Sequence, residues 1–276
     1  YDDKKSDETI DFVSYVTAHE IGHQWWAHQV IGADKQGATM LSETFAQYSA
    51  LLVMEAMHGK EQIRKFLKGE LDAYLRSRGG EVVEELPLNR VEDQPYIHYR
   101  KGSLAMYWLK DVVGEDVVNR ALARLLSEFA FKPAPYPAST HFIRILREEA
   151  GPQHDELISD LFERITLYDM KASDATAARR ADGSYEVTFK VQGRKLYADG
   201  EGRESEAALE EPFDVGAFTA EPGKKGYTRG AVLSMERRTM KTGEQTVTLI
   251  VDQAPSFVGV DPYNKRIDRN SDDNIA

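Results

Sequence analysis

His19-Glu20-Ile21-Gly22-His23 is the stretch on which the reading of this chain turns. Two histidines four residues apart fall on one face of a helix, so both imidazoles reach a single point while Glu20 stands beside it. Zinc accepts neutral imidazole nitrogens and carboxylate oxygens, and a catalytic zinc keeps three protein ligands and one open position. His19 and His23 supply two ligands. His28, Asp34, Glu43 and His58 compete for the third. On a helix continuing through Val30, His28 is turned roughly 140° from His23 and points away. Asp34 lies in a loop and His58 at the far end of the next helix. Glu43 sits near the start of the amphipathic segment Ala38 to Met57, which can pack against the first helix and return a carboxylate to it, and is preferred. Two histidines on an ordinary helix is the competing reading of the pair.

Composition narrows the alternatives. The chain has 276 residues, 41% of them hydrophobic, enough for one large core or two domains. A net charge of -11 argues against nucleic acid or an anionic membrane surface as partner. No apolar run approaches the roughly 20 residues of a membrane helix, and Tyr1-Asp2-Asp3-Lys4-Lys5 has no apolar targeting core. Without cysteine, disulfides and thiolate ligands are excluded.

Hydrophobic periodicity predicts helices over Ile10 to Val30 and Ala38 to Met57, and one whose stripe is Ile63, Phe66, Leu67, Leu71 and Tyr74, ending at Gly79-Gly80. An irregular connection through Pro87 and Pro95 follows, then helices from Lys101 to Val113 and along Val117 to Phe129. Beyond the loop at Pro133 to Pro137, helices start at Thr140, with His141 in the first turn, and along Leu157 to Ile165. After about Tyr168 the period becomes two. Tyr185, Val187, Phe189 and Val191 share one face of a strand, 246–251 is a second, and others are expected near 168–178, 213–219, 231–240 and 256–260. Gly200 to Glu211 reads as a charged surface loop, and the closing stretch from Val260 as an acidic, solvated tail in preference to an ion-binding loop. The fold class is therefore α+β: a mainly helical domain at 1–168, then a small β-sandwich at 169–276 with a structural or docking role.

The motifs resemble a known family. HEIGHQWWAHQVIG is similar to the zinc helix of the gluzincin aminopeptidases, the aminopeptidase N and leukotriene A4 hydrolase group, of thermolysin-like fold. MLSETFAQYSAL resembles the helix carrying their third ligand, and Ile97-His98-Tyr99-Arg100-Lys101-Gly102 their Tyr-x-Lys-Gly motif. The resemblance covers residues 1 to about 165. It implies one zinc per chain held by His19, His23 and Glu43, peptide substrates, Glu20 as general base, and Tyr99, with Tyr96 as nearby competitor, as oxyanion donor. There are departures: nineteen residues separate His23 from Glu43, one more than usual, and Thr44 stands where the family has Gly. The Gly-x-Met-Glu-Asn segment that anchors a substrate's α-amine does not occur in the chain, which is expected to be a fragment of a longer protein.

The chain also resembles peptidase domains joined to ABC-type permeases, implying a soluble domain of a bacterial membrane protein, covalently attached to membrane-spanning segments outside this sequence. A zinc-dependent, aminopeptidase-type metallopeptidase is the expected function. The other class is a catalytically silent zinc-binding or regulatory domain of such a transport protein. Trp25 and Trp26 are read as core packing, and His98, His141 and His154 as ordinary polar residues.

Overall fold

The computed structural model describes residues 10–224 and 226–276. Its first half is helical: α1 (Phe12–Gly22), α2 (Phe45–His58), α3 (Lys60–Gly80), α4 (Gly102–Val113), α5 (Glu115–Phe129), α6 (Ser139–Ala150) and α7 (Asp155–Ile158). Asp11 starts α1 by accepting a hydrogen bond from the Ser14 amide at 3.1 Å. Three π-helical turns interrupt the regular helices at Met40–Thr44, Tyr96–Lys101 and Ser159–Glu163. The first runs directly into α2 and the second into α4.

The strands follow: β1 (Ile165–Arg179), β2 (Tyr185–Ala198), β3 (Glu204–Ala207), β4 (Glu210–Phe218), β5 (Val232–Lys241), β6 (Gly243–Val251) and β7 (Phe257–Val260). They form two antiparallel sheets. In one, β2 pairs with β1 on one side and with β6 and β3 on the other. In the other, β4 lies between β5 and β7. The predicted alternation of β2 is present, with Val187, Phe189 and Val191 fully buried.

One apolar core runs from the helices into both sheets. Phe45 of α2 meets Phe142 of α6 edge-on at 4.7 Å, and Trp108 of α4 meets Tyr168 of β1 at 5.0 Å. Tyr168 in turn packs on Phe213 of β4 at 5.5 Å. Burying each such side chain is worth about 1.5–3 kcal/mol. Arg266 lies within this joint, its guanidinium over Trp108 and Phe213, and its charge is met by Asp111 of α4 at 3.3 Å. Lys265 and Arg237 also bind Asp111, at 2.8 and 2.9 Å. The strands are thereby fastened to the helix that follows the Tyr99 turn.

Four expectations are corrected. The first helix ends at Gly22 rather than Val30: Ala27 has φ 130°, and the chain turns so that Trp26 is buried against Phe45 while Trp25 is exposed. The stretch 200–211 contains β3, an edge strand whose exposed Glu204 and Glu206 hid it. Ile165 opens β1 instead of closing a helix. The tail is not solvated: Asp261, Asn264, Arg266, Asp268 and Asn274 are buried. Asp261 accepts from the Lys265 and Arg266 amides and Asp268 from those of Met170 and Asn270, so these two carboxylates enter the interior with partners.

Candidate metal centre and active site

α1 approaches α2 closely because residue 22 is glycine; a Cβ there would lie 3.1 Å from the Ala46 Cα. That approach brings Glu43 to the histidines. His19 Nε2 and His23 Nε2 are 3.1 Å apart, and Glu43 Oε2 lies 3.4 Å from the first and 3.5 Å from the second. Donors about 2.05 Å from a tetrahedral zinc are about 3.3 Å from one another. Glu43 Oε2 is buried with no hydrogen-bond partner. A carboxylate oxygen orphaned beside two imidazole nitrogens fits a cation, and these three residues are the convergent donor group among the described residues.

The tautomer of His23 is fixed from outside the donor set. Its Nδ1 donates to the Trp26 carbonyl at 2.8 Å, which leaves the Nε2 lone pair facing Glu43. Trp26 is held in turn by Phe45, at 5.2 Å, and by its indole N–H donating to Ser49 Oγ at 3.2 Å. This packing role was expected for Trp26; the role of its carbonyl was not.

Burial pushes the Glu43 carboxyl up, but the nearby His19 imidazole, the His23 charge and the Tyr99 hydroxyl outweigh it, and the group lies below its ordinary range. Tyr99 is half-buried with its ring 5.6 Å from that of His19. Burial first, then the Glu43 charge and a hydrogen bond to it, then the Glu20 charge, push the Tyr99 hydroxyl up to about 12, so it remains a proton donor at neutral pH. Glu20 is exposed on the turn between the two histidines. The competitor Tyr96 is buried and stacks on Tyr74 at 6.0 Å, away from the donor group. Lys101 is also buried, 3.4 Å from Glu85 and over the Tyr74 ring.

The remaining candidates lie elsewhere. His28 and Asp34 are exposed beyond the end of α1, and His58 Nε2 lies 3.5 Å from the Asp11 carboxylate. His141 accepts from the Ala138 amide through Nδ1, and α6 begins one residue earlier than expected, at Ser139. His98 is not an ordinary polar residue: it is buried with its ring 4.4 Å from that of Tyr99. Burial pushes its imidazole below the usual range, against the opposing charge of Glu43.

A buried carboxylate that the sequence did not single out joins the elements of the site. Glu70 of α3, 2% exposed, accepts from the Tyr15 hydroxyl at 2.9 Å, from Gln47 at 3.0 Å and from Arg100 at 3.0 Å. Tyr15 is four residues before His19, Gln47 four after Glu43 and Arg100 next to Tyr99. Only the spacing of Tyr15 and Gln47 from the ligands could have hinted at this; Glu70 carries no sequence signal.

Residues 1–164 match the model of the peptidase family M1 domain. The chain belongs to peptidase family M1. It is also 26% identical over 140 residues to human endoplasmic reticulum aminopeptidase 2, covering 48% of this chain and 14% of that protein. The M1 domain extended by its strands resembles aminopeptidase A of Legionella pneumophila, solved in complex with aspartic acid, with a TM-score of 0.53 and 16% identity over 92% of this chain and 27% of that one. This likeness is one of fold. An M1 zinc metallopeptidase of Deinococcus radiodurans aligns over 54% of this chain and 32% of that one, at 26% identity and a TM-score of 0.44. The chain thus spans a minor part of each relative. The M1 membership makes the helical part a zinc-metallopeptidase domain and zinc its implied metal, and helices and antiparallel sheets together make the chain α+β.

Proposed function

We propose that the M1 domain hydrolyses peptide bonds as a zinc-dependent aminopeptidase, with one zinc per chain held by His19 Nε2, His23 Nε2 and Glu43 Oε2. The observation that carries this is the convergence of those atoms within 3.5 Å of one another, with the Tyr99 ring 5.6 Å from that of His19. Zinc bound there would supply Lewis-acid polarisation of the scissile carbonyl and acidify a water toward a pKa of about 7. Glu20, placed between the ligands but free of them, takes the water proton on its carboxylate and passes it to the leaving amine. Tyr99, protonated at neutral pH, donates to the oxyanion as the carbonyl becomes tetrahedral. The Trp26 carbonyl and the Glu70 network hold His23, His19 and the Tyr99 turn in place for this work.

The same reading gives the strands a docking or structural role as a β-sandwich over 169–276. It treats the chain as a soluble piece of a larger bacterial membrane protein joined to an ABC-type permease. Support for the latter is the sequence resemblance alone, and no helix among the described residues is long and apolar enough to cross a membrane.

The test is elemental analysis for zinc together with hydrolysis of free-amine and amine-blocked peptides by the native chain and by Glu20→Gln. The expected result is full zinc in both, cleavage of free-amine peptides by the native chain, and a loss of at least about 10²-fold in Glu20→Gln. Unchanged hydrolysis in Glu20→Gln would overturn the assignment of the base. A zinc-loaded native chain without turnover would overturn the enzyme reading and favour a silent binding domain.

A further inference from the structure

Thr44 follows the third donor and is fully buried. Its hydroxyl donates to the His98 carbonyl at 2.6 Å, one residue before Tyr99. The contact is permitted by glycine at 102, where a Cβ would stand 2.4 Å from Thr44 Oγ1 and 2.8 Å from Cγ2. The threonine side chain therefore occupies the notch that Gly102 leaves. Both partners sit in π-helical turns, Glu43 and Thr44 in Met40–Thr44 and His98 and Tyr99 in Tyr96–Lys101. A π turn is a rare, locally strained departure from the α ladder that recurs at functional sites. A buried cross-link between two such turns fixes their mutual register in a way that neither ladder does alone.

We propose that Thr44 is a positioning residue: its hydroxyl locks the turn bearing Tyr99 against the turn bearing Glu43 and so sets where the Tyr99 side chain lies beside His19. This rests on the reading of Tyr99 as the oxyanion donor. Thr44 itself touches neither substrate nor metal, and acts through the backbone at His98. Valine at 44 keeps the branched shape but puts a methyl, which cannot donate and must back away from the His98 carbonyl, where the hydroxyl stood at 2.6 Å; alanine removes the donor without that crowding, and serine keeps the hydroxyl and trims the methyl.

The experiment compares the native chain, Thr44→Val and Thr44→Ser, each also prepared with meta-fluorotyrosine, the Tyr99 fluorine resonance being assigned by its loss in Tyr99→Phe. Zinc content, the Tyr99 resonance and steady-state constants on a free-amine peptide are measured. Thr44→Val should keep native zinc content, shift the Tyr99 resonance, and lower kcat about tenfold with KM within about twofold. Thr44→Ser should restore both the resonance and kcat. An unmoved resonance in Thr44→Val, a serine variant displaced as far as the valine one, or a loss of zinc accompanying the loss of rate would each refute the lock. If Thr44→Val does not fold, Thr44→Ala, also without the hydroxyl, takes its place with the same expectations. Should the native chain show no turnover, the proposed function fails, while the fluorine comparison still decides the role of Thr44.

Discussion

Replacing Asp111 by asparagine removes a charge on which the joint between helices and strands depends. Its carboxylate, 12% exposed, faces Arg266 at 3.3 Å, Lys265 at 2.8 Å and Arg237 at 2.9 Å. Burial alone would raise its pKa; Arg266 and Lys265 reverse that and hold it far below the usual carboxylate range. Arg237 is more than one-third exposed, so water screens much of its share. Arg266 is 2% exposed and lies between Trp108 and Phe213, so it cannot rehydrate when its partner becomes neutral. Breaking a buried ion pair from one side costs about 3–5 kcal/mol. Asparagine keeps the volume and one acceptor, which places Asp111→Asn near the lower bound, about 3 kcal/mol. With 276 residues and an unfolding entropy of about 2.1 cal/mol/K per residue, that is a fall in Tm of about 5 °C. Calorimetry should show one transition displaced by that amount, because the core is continuous between helices and strands. A displacement under about 1 °C would refute the argument that Arg266 is stranded, and two separated transitions would refute the single cooperative unit.

Glu43→Ala removes the carboxylate donor and should lose stoichiometric zinc by elemental analysis while the fold is retained by circular dichroism; full occupancy would mean that another residue completes the site. Stability should also fall as pH rises from 6 to 8 because of Asp268, whose burial raises its carboxyl to about 7. A group raised in the folded state stabilises fully below its unfolded value near 3.8, and that contribution is lost as pH climbs through the folded value. The loss across this window is about 1 kcal/mol, and Asp268→Asn should flatten the slope in urea titrations at the two pH values. An equal slope in the variant would show that Asp268 does not titrate there. Asp111 acts in the opposite sense, its contribution vanishing only in acid as pH falls through its depressed folded value.

The convergence of His19, His23 and Glu43 was legible in the sequence because its geometry is mostly local. His19 and His23 face the same way on any helix that includes both, and Glu43 needed only the one return of the chain that an amphipathic segment after a loop supplies. Tyr99 was reached through the Tyr-x-Lys-Gly resemblance, although nothing local separates it from Tyr96; the two differ because one ring lies by His19 and the other stacks on Tyr74. The end of α1 at Gly22 was not legible, since an apolar run such as Trp25-Trp26 fits a continuing helix until the burial of Trp26 on Phe45 is known. The strands with clean alternation, β2 and β6, were found. β3 was missed because an edge strand carries charges in place of a pattern.

The sequence by itself determined which side chains could be brought together, the two histidines of one helix and the carboxylate of the next, and where the helices give way to strands. The tertiary structure alone decided how those side chains are held. The Trp26 carbonyl on His23, the Thr44 hydroxyl on His98, Glu70 among Tyr15, Gln47 and Arg100, and the buried Arg266 pairing with Asp111 join positions remote in sequence or aligned only when the chain turns. Periodicity records which face of an element is buried, but not which polar atom it meets there, because that partner is chosen by how separate segments pack.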